Sequence, residues 1–184
     1  MSAQPYHHGD LRNALLAAAT EAIEQSGPAA LSLRELARRA GVSHAAPAHH
    51  FGDKAGLLTE LATQGYELLA DAVHAAGPDL MEAGVAYVRF AVGHRAHFTV
   101  MFEPGLYHPD DPGLVAAQAR ADQALSAALA ASAPERAAER ELKLAAWSIV
   151  HGLAQLWNSG SLADRSGEDL ATIARAVIGN LRPA

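Results

Sequence analysis

Two predicted helix starts stand close together in residues 31–54, with a single glycine between the helices that they open. The segment reads LSLRELARRAGVSHAAPAHHFGDK. Ser32 and Glu35 fit an S-x-x-E capping box, in which each side chain satisfies a backbone N–H at the start of the first helix. Leu31 and Leu36 fit the hydrophobic staple around that box. The pattern therefore predicts a helix that begins at Ser32.

Gly41 predicts the end of this helix, because glycine adopts a left-handed conformation without a Cβ penalty. Ser43 offers a second N-cap two residues later, so we expect a short second helix through about Phe51. Helices joined by so short a turn cross steeply, as in the helix-turn-helix of DNA-binding proteins. Helical proteins with no DNA function also contain such crossings, and that alternative stays open on the pattern alone.

The first helix of the pair has an apolar face and a basic face. Its apolar residues recur at helical spacing and predict burial: Leu33, Leu36, Ala37 and Ala40. Arg34, Arg38 and Arg39 project from the other face and are candidate phosphate ligands. In the second helix, the N-terminal residues are the ones that enter the major groove in such a motif: His44, Ala45, Ala46 and Ala48. Only His44 among them can hydrogen-bond a base edge, whereas alanine methyl groups can contact thymine methyl groups.

The string GVSHAAPAHHFGDKAGLL at residues 41–58 resembles the recognition helix of the TetR family and the cap of the helix that follows it. A long first helix opening at HHGDLR agrees with this resemblance. The W-x3-HG string at 147–152 resembles the ligand-binding domain of one subgroup of the family. The resemblance implies that these N-terminal residues of the second helix are the base readers, and Ser43, which the pattern makes the cap of their helix, is also a candidate DNA contact. It also implies that four further residues grip the DNA backbone: Ser32, His49, His50 and Lys54.

Two positions depart from the family pattern. Pro47 stands where a buried leucine is usual, and it removes the first intrahelical hydrogen bond if Ser43 is the cap. Ala48 stands where an aromatic residue usually holds a phosphate. These departures weaken the expectation of high affinity for DNA and leave the fold expectation unchanged. For His49 and His50, packing of one ring against the first helix is the alternative role.

The charge distribution also bears on DNA binding. The chain has 14 Lys and Arg against 20 Asp and Glu, which at first argues against a nucleic-acid partner. Residues 1–56 are balanced, with five basic and five acidic residues, whereas the rest has nine basic and fifteen acidic ones. Five of the ten histidines also lie in 1–56. The phosphates of a bound DNA would favour the charged form of their imidazoles. We expect modest non-specific affinity with a shallow salt dependence.

The 184 residues are enough for one small and one larger helical domain. We expect an all-α fold of about nine helices, with a three-helix DNA-binding domain at 1–56 and a ligand-binding and dimerisation domain at 57–184. Helices are predicted over residues 10–27, 32–40, 43–51, 53–74, 79–94, 96–103, 113–131, 134–158 and 168–181. Asp53 is the predicted N-cap of the fourth, and the turn-rich loop at 103–113 is predicted to be mobile. The chain contains no cysteine, and the sequence has neither a signal-like leader nor an apolar run of membrane-spanning length. A soluble, cytoplasmic protein without a membrane partner is the expectation.

An aromatic and histidine-rich cluster predicts a small-molecule site in the larger domain. Its members are Phe90, His94, His97, Phe98, Met101, Phe102, Tyr107, Trp147 and His151. Ordinary core packing is the alternative role for each. A metal site built on His94 and His97, with His151 or Glu103, is a weaker alternative, since no third ligand is fixed by spacing and we predict neither metal nor cofactor.

The last two predicted helices carry more apolar surface than one domain needs for its own core. They predict a homodimer interface formed by Leu142, Ala145, Ile149, Gly152, Leu153, Leu156, Leu170, Ile173, Ala174, Val177, Ile178 and Leu181. A two-fold dimer places its reading helices about one turn of DNA apart, roughly 34 Å, and implies a palindromic operator.

No phosphate loop, H-E-x-x-H or G-x-S-x-G motif supports an enzyme. The sequence favours a transcriptional repressor that a small apolar or aromatic effector releases from DNA. The alternative is a helical adaptor or ligand carrier that kept the fold and lost specific DNA binding.

Overall fold

A computed structural model describes residues 8–162 and 169–180. Within these ranges the chain forms nine α-helices and two short 3₁₀ turns, and it contains no strand. This confirms the predicted all-α fold. The helices are α1 (His8–Ser26), α2 (Leu33–Arg39), α3 (Ala46–Phe51), α4 (Lys54–Ala75), α5 (Leu80–Gly93), α6 (Arg95–Met101), α7 (Pro112–Ser132), α8 (Arg140–Asn158) and α9 (Leu170–Gly179). The 3₁₀ turns are Pro28–Ala30 and Pro104–Leu106.

The chain folds as two compact units. Within the described ranges, the first unit contains the residues up to 63 together with 96–114. The second contains 64–95 and the residues from 115 onward. Helix α4 begins in the first unit and ends in the second. The division of functions between residues 1–56 and 57–184 stays a prediction.

The apolar faces of α1, α2, α4 and α6 form the core of the first unit. Leu15 and Ile23 of α1 are buried, as their helical spacing predicts. Further buried residues of this unit are Leu36, Ala37, Leu57, Leu58, Leu61, Phe98, Val100 and Met101. Residues on the outer faces of α2 and α3, such as Arg34 and Ala48, are exposed.

In the second unit, α5 packs against both α8 and α9. Gly84 makes the approach close, because a Cβ atom there would lie 2.7 Å from Ile178 Cδ1 and 3.2 Å from Val150 Cγ1. Aspartates cap two of the helices: Asp79 accepts the N–H of Met81 at 2.7 Å in α5, and Asp169 caps α9.

The start of α8 differs from its prediction. The helix begins at Arg140 instead of Pro134, and the alanine-rich helix before it ends at Ser132. Between them the N–H of Arg136 donates to Ala133 O at 3.1 Å. The Arg136 guanidinium also donates to the Glu139 carboxylate, at 2.8 Å from Nη2. These bonds satisfy the connecting backbone without a helix. The predicted last helix, 168–181, is observed as α9, and residues 168 and 181 lie outside the described ranges.

None of the helices in the described part of the chain combines the length and the apolar character needed to cross a bilayer.

Candidate nucleic-acid interface

Helix α2 begins where the sequence predicts, but by a different arrangement. Ser32 occupies the N-cap position with extended backbone, and its carbonyl accepts the N–H of Leu36 at 2.9 Å. Its side chain makes no capping hydrogen bond, so the predicted capping box is wrong. Leu31 and Leu36, the predicted staple, are both buried.

The carboxylate of Glu35 bonds to two arginines instead of the backbone. Arg38 donates to it from Nε at 2.8 Å and from Nη2 at 2.6 Å. Arg39 Nε donates at 3.1 Å, and Arg39 Nη1 also reaches Gln25 Oε1 at 3.2 Å. These bonds, that from Arg38 first, lower the pKa of Glu35 to about 2. Both Glu35 oxygens are thus bonded to guanidinium groups, which are charged donors.

The turn between the two helices is the one that Gly41 predicts. Gly41 has a φ of 66° and donates to Arg38 O at 3.3 Å, and the N–H of Val42 donates to Ala37 O at 3.0 Å. These two bonds make a Schellman motif, which satisfies the last carbonyl groups of α2.

Helix α3 begins later than the sequence predicts. Its N-cap is Ala45, and Ser43 instead opens a turn in which the N–H of Ala46 donates to Ser43 O at 3.0 Å. The predicted cap at Ser43 is therefore corrected. Pro47 explains the shift, since it has no N–H to donate to Ser43, and the first complete helical bond runs from His49 N to Ala45 O at 2.9 Å. Pro47 is buried in place of the usual leucine.

The outer surface of this turn and of α3 contains the predicted base readers. Ser43, His44, Ala45, Ala48 and His49 are exposed, and Ala46 and His50 are partly exposed. The small side chains form a low surface. Among the predicted base readers, His44 is the one whose side chain can hydrogen-bond a base edge. The motif thus presents the predicted residues to solvent together.

The C-terminal end of α3 is held by an arginine that sequence reasoning missed. Arg12 of α1 lies over the ring of Phe51, 5.6 Å from its centroid, and pairs with Glu60 of α4 at 2.6 Å. The rings of His49 and His50 meet edge to face, with centroids 5.6 Å apart. No local spacing links α1 to α3, so no sequence signal pointed to Arg12.

Lys54 and Asp53 fix the start of α4. Asp53 Oδ1 accepts the N–H of Gly56 at 2.8 Å, as the predicted N-cap does, and this bond lowers the pKa of Asp53. Lys54 Nζ donates to Ala29 O at 2.9 Å. The ammonium group is therefore positioned by the 3₁₀ turn before α2, and two of its three protons are left for other acceptors.

The residues predicted to bind a small-molecule effector are divided between the two units. Phe98, Met101 and Tyr107 are buried in the first unit, where the Tyr107 hydroxyl donates to Met101 O at 3.0 Å. His97 is also buried there, and the rings of Phe98 and Phe102 lie 5.1 Å apart. The loop that carries Tyr107 was predicted to be mobile, but Tyr107 anchors it in the core.

The second unit contains the remaining four effector candidates and one residue that sequence reasoning missed. Phe90 is buried and its ring lies 5.3 Å from that of exposed His94. The missed residue, Tyr87, is buried. Trp147 Nε1 donates to the Tyr87 hydroxyl at 3.2 Å, and that hydroxyl lies 3.0 Å from His151 Nδ1.

Partial burial lowers the pKa of His151, and burial raises the pKa of Tyr87. The neutral imidazole fits the geometry, because the Tyr87 hydroxyl accepts from Trp147 and is then able to donate to Nδ1. The bond joins residues more than sixty positions apart, so helical spacing revealed Trp147 and His151 but not Tyr87.

The predicted dimer residues differ in exposure. Leu156, Val177 and Ala145 are exposed, whereas Leu153 and Ala174 are buried. Leu153 and Ala174 therefore lie in the core of the protomer, and their part in an interface stays a prediction. The partly exposed members are Leu142, Ile149, Gly152, Leu170, Ile173 and Ile178. Leu181 lies outside the described residues.

Across the described ranges, no three His, Asp or Glu side chains come close enough together to hold a metal ion.

Two family models match the chain. Residues 15–61 match the N-terminal model of the bacterial regulatory proteins of the tetR family. Residues 80–181 match a tetracyclin repressor-like C-terminal domain. No sequence among the curated proteins matches the chain.

Solved structures agree with these models. A protein of unknown function from Rhodococcus sp. RHA1 is 32% identical, with coverage of 97% of this chain and 96% of that one and a TM-score of 0.77. The TetR family transcriptional regulator PfmR from Thermus thermophilus is 22% identical, with coverage of 90% and 94% and a TM-score of 0.69. The TetR-like regulator LfrR from Mycobacterium smegmatis, solved with proflavine, is 19% identical, with coverage of 92% and 94% and a TM-score of 0.65. The matched domains together show that this chain belongs to the TetR family of transcriptional regulators.

Proposed function

We propose that the protein is a cytoplasmic, sequence-specific repressor that leaves a palindromic operator when a small apolar or aromatic molecule binds. The observation that carries this proposal is the outer surface of α3 and the turn before it, which presents His44, Ala45 and Ala48 together to solvent. The proposal assigns the chain no catalytic step.

In this proposal the two faces of the motif have different tasks. His44 reads a base edge, and the methyl groups of Ala45, Ala46 and Ala48 contact thymine methyl groups. Backbone phosphates are bound by Ser32, Arg34, Ser43, His49, His50 and Lys54. Lys54 supports this role best, because its bond to Ala29 O fixes the ammonium group beside the helix-turn-helix.

The homodimer rests on exposed apolar side chains of α8 and α9. Leu156 is 47% exposed and Val177 is 37% exposed, and Leu144 and Trp147 add further apolar surface on α8. Water contact with such side chains is unfavourable, so two copies gain by joining these helices in a four-helix bundle. A two-fold axis then relates the two reading helices, about 34 Å apart.

The effector proposal rests on the aromatic residues of the family's C-terminal domain. LfrR holds proflavine, a planar aromatic molecule, and the aromatic and histidine side chains of this chain suit a ligand of that class. The ligand shifts the protein to a conformation with lower operator affinity, and the shift equals its differential affinity for the two states.

The test is binding to the DNA that flanks the coding region of this protein, compared with random duplex of equal length across a salt series from about 50 to about 200 mM. A repressor retains strong preference for one flanking fragment at physiological salt, because base contacts depend less on salt than phosphate contacts. Equal, weak and salt-erased binding to flanking and random duplexes would favour the adaptor alternative.

A ligand measurement tests release separately. Proflavine serves as the probe, with its fluorescence reporting binding to the protein. The proposal expects a lower operator affinity when the probe is bound, whereas tight binding with unchanged operator affinity contradicts it.

A further inference from the structure

The carboxylate of Glu35 neutralises part of the positive charge of the helix-turn-helix. It bonds to Arg38 through two donors, at 2.8 and 2.6 Å, and to Arg39 through one, at 3.1 Å. Arg38 and Arg39 are two of the five basic residues in positions 1–56. Their combined charge with Glu35 is one positive unit instead of two.

The other basic residues of this region differ from one another. Arg12 pairs with Glu60, and Lys54 bonds to a neutral carbonyl group. Arg34 is exposed, and in the part of the chain that the structure describes no acidic side chain pairs with it. Glu35 is therefore the residue whose single carboxylate holds two cations of α2 at once.

We propose that Glu35 is an affinity-limiting residue, which restrains Arg38 and Arg39 from binding DNA phosphates and so keeps sequence-independent binding weak. The inference rests on the proposed function, since it assigns a role within DNA binding. Electrostatic contact with phosphates dominates non-specific binding. A repressor held weakly by random sequence has more free molecules for its operator, because genomic DNA offers a great excess of non-specific sites.

The size of the effect follows from the charge. Each phosphate that a protein neutralises adds about 0.9 to the slope of log K against log salt for B-DNA. Removal of the Glu35 charge adds one net positive unit and frees two guanidinium groups. The slope is thus expected to steepen by about 1 to 2, and affinity for random duplex near 0.1 M salt to rise roughly tenfold.

The experiment compares Glu35→Gln with Glu24→Gln in the full-length chain. Glu24 is exposed on α1, and its replacement removes the same charge without touching Arg38 or Arg39. Binding to random duplex is measured across the same salt series, and far-ultraviolet circular dichroism checks that each variant is folded. Glu35→Gln is expected to steepen the slope by about 1 to 2 and Glu24→Gln by less than about half as much.

A second comparison tests whether the arginines carry the change. Replacement of Arg38 and Arg39 by Gln removes two positive charges in either background, and it should weaken random binding less in the parent chain, where Glu35 holds both side chains, than in the Glu35→Gln variant. The same replacement should abolish the gain in the Glu35→Gln background. A gain that survives without both arginines would overturn the inference.

Retention on heparin separates this inference from the function itself. Heparin is a polyanion without base sequence, so the salt concentration at elution reports the freed arginines even if no operator exists. We expect Glu35→Gln to elute at higher salt than both the parent chain and Glu24→Gln. Elution at equal or lower salt overturns the role of Glu35, whereas loss of preference for flanking DNA alone overturns only the proposed repressor.

Discussion

The exposed surfaces of the helix-turn-helix and of α8 and α9 differ in kind. Around α3 the exposed residues are small or polar, such as His44, Ala45 and Ala48. On α8 and α9 they include Leu156 and Val177. A low polar surface suits contact with base edges and phosphates, whereas large apolar side chains gain most when another protein surface covers them. This difference matches the two proposed roles, DNA binding at α3 and dimerisation at α8 and α9.

The two regions also differ in whether side chains cap the starts of their helices. Asp79 and Asp169 cap α5 and α9 with side-chain hydrogen bonds, whereas α2 and α3 begin with no such bond. Side-chain caps stabilise helices by about 1 kcal/mol. Two helix starts of the second unit are thus stabilised by caps, whereas α8 begins without a side-chain cap. The starts of α2 and α3 rely on packing and on the Gly41 turn.

The largest expected effect comes from charges placed on the apolar surface. We predict that Leu156→Asp combined with Val177→Asp yields a monomer and lowers operator affinity about 100-fold or more, because two linked half-sites bind with a high effective concentration. Analytical ultracentrifugation and operator titration measure the two outcomes. Val115→Asp, on α7 and 49% exposed, is the matched control. A double variant that remains dimeric would remove the distinction between the two surfaces.

Two glycines of α5 offer a comparison within the second unit. Gly84→Ala brings a Cβ into contact with Ile178 and Val150, whereas the same change at Gly93 meets open space. Gly93→Ala should stabilise the protein by up to about 1 kcal/mol through lower chain entropy in the unfolded state. Gly84→Ala should be about 1–3 kcal/mol less stable than Gly93→Ala, because overpacking offsets that gain. Urea unfolding measures both, and equal stabilities would show that α5 packs less closely than described.

Removal of the N-cap side chains of α5 and α2 tests whether the two helix starts differ in stability. Asp79→Ala should cost about 1 kcal/mol of unfolding free energy, since it removes the acceptor of two backbone N–H groups. Ser32→Ala should change stability by less than about 0.5 kcal/mol, because that side chain makes no capping bond. Thermal unfolding of both variants supplies the comparison. Equal losses would mean that Ser32 caps α2 in solution.

The smallest effect concerns pH in the second unit. Partial burial lowers the pKa of His151, so the folded state binds its proton less readily than the unfolded state. The resulting stability is present above the unfolded pKa and is lost as pH falls through the folded pKa. His151→Gln should therefore flatten the dependence of unfolding free energy on pH between about 7 and about 5. His94→Gln, at an exposed position of the same unit, is the control variant.

Local patterns predicted the helices well, and competing contacts explain the errors. Gly41 and Asp53 act as predicted, because their roles depend on backbone within a few residues. Glu35 has the spacing of a capping box, but it also lies three and four residues before two arginines. Its carboxylate forms ion pairs with these arginines instead of the capping bond. Helix α3 begins later than predicted because Pro47 has no backbone N–H to donate to Ser43 O.

Contacts between distant parts of the chain were beyond such patterns. Arg12 reaches Phe51 across helices, and Tyr87 meets His151 and Trp147 from another helix. Helical spacing identifies which residues share a face of one helix, and it carries no information on which face of another helix they meet. The exposed surface of α3 was predictable because it is built within one short segment.

The central claim is that the α3 surface reads operator bases, and the most direct measurement compares His44→Ala with Lys54→Ala on operator and on random duplex. We expect His44→Ala to weaken operator binding by about 1–3 kcal/mol and to leave binding to random duplex unchanged, because a base contact is lost. Lys54→Ala should weaken binding to both duplexes alike and reduce the slope of log K against log salt by about 1. If His44→Ala leaves operator binding intact, or weakens both duplexes equally, the claim is contradicted.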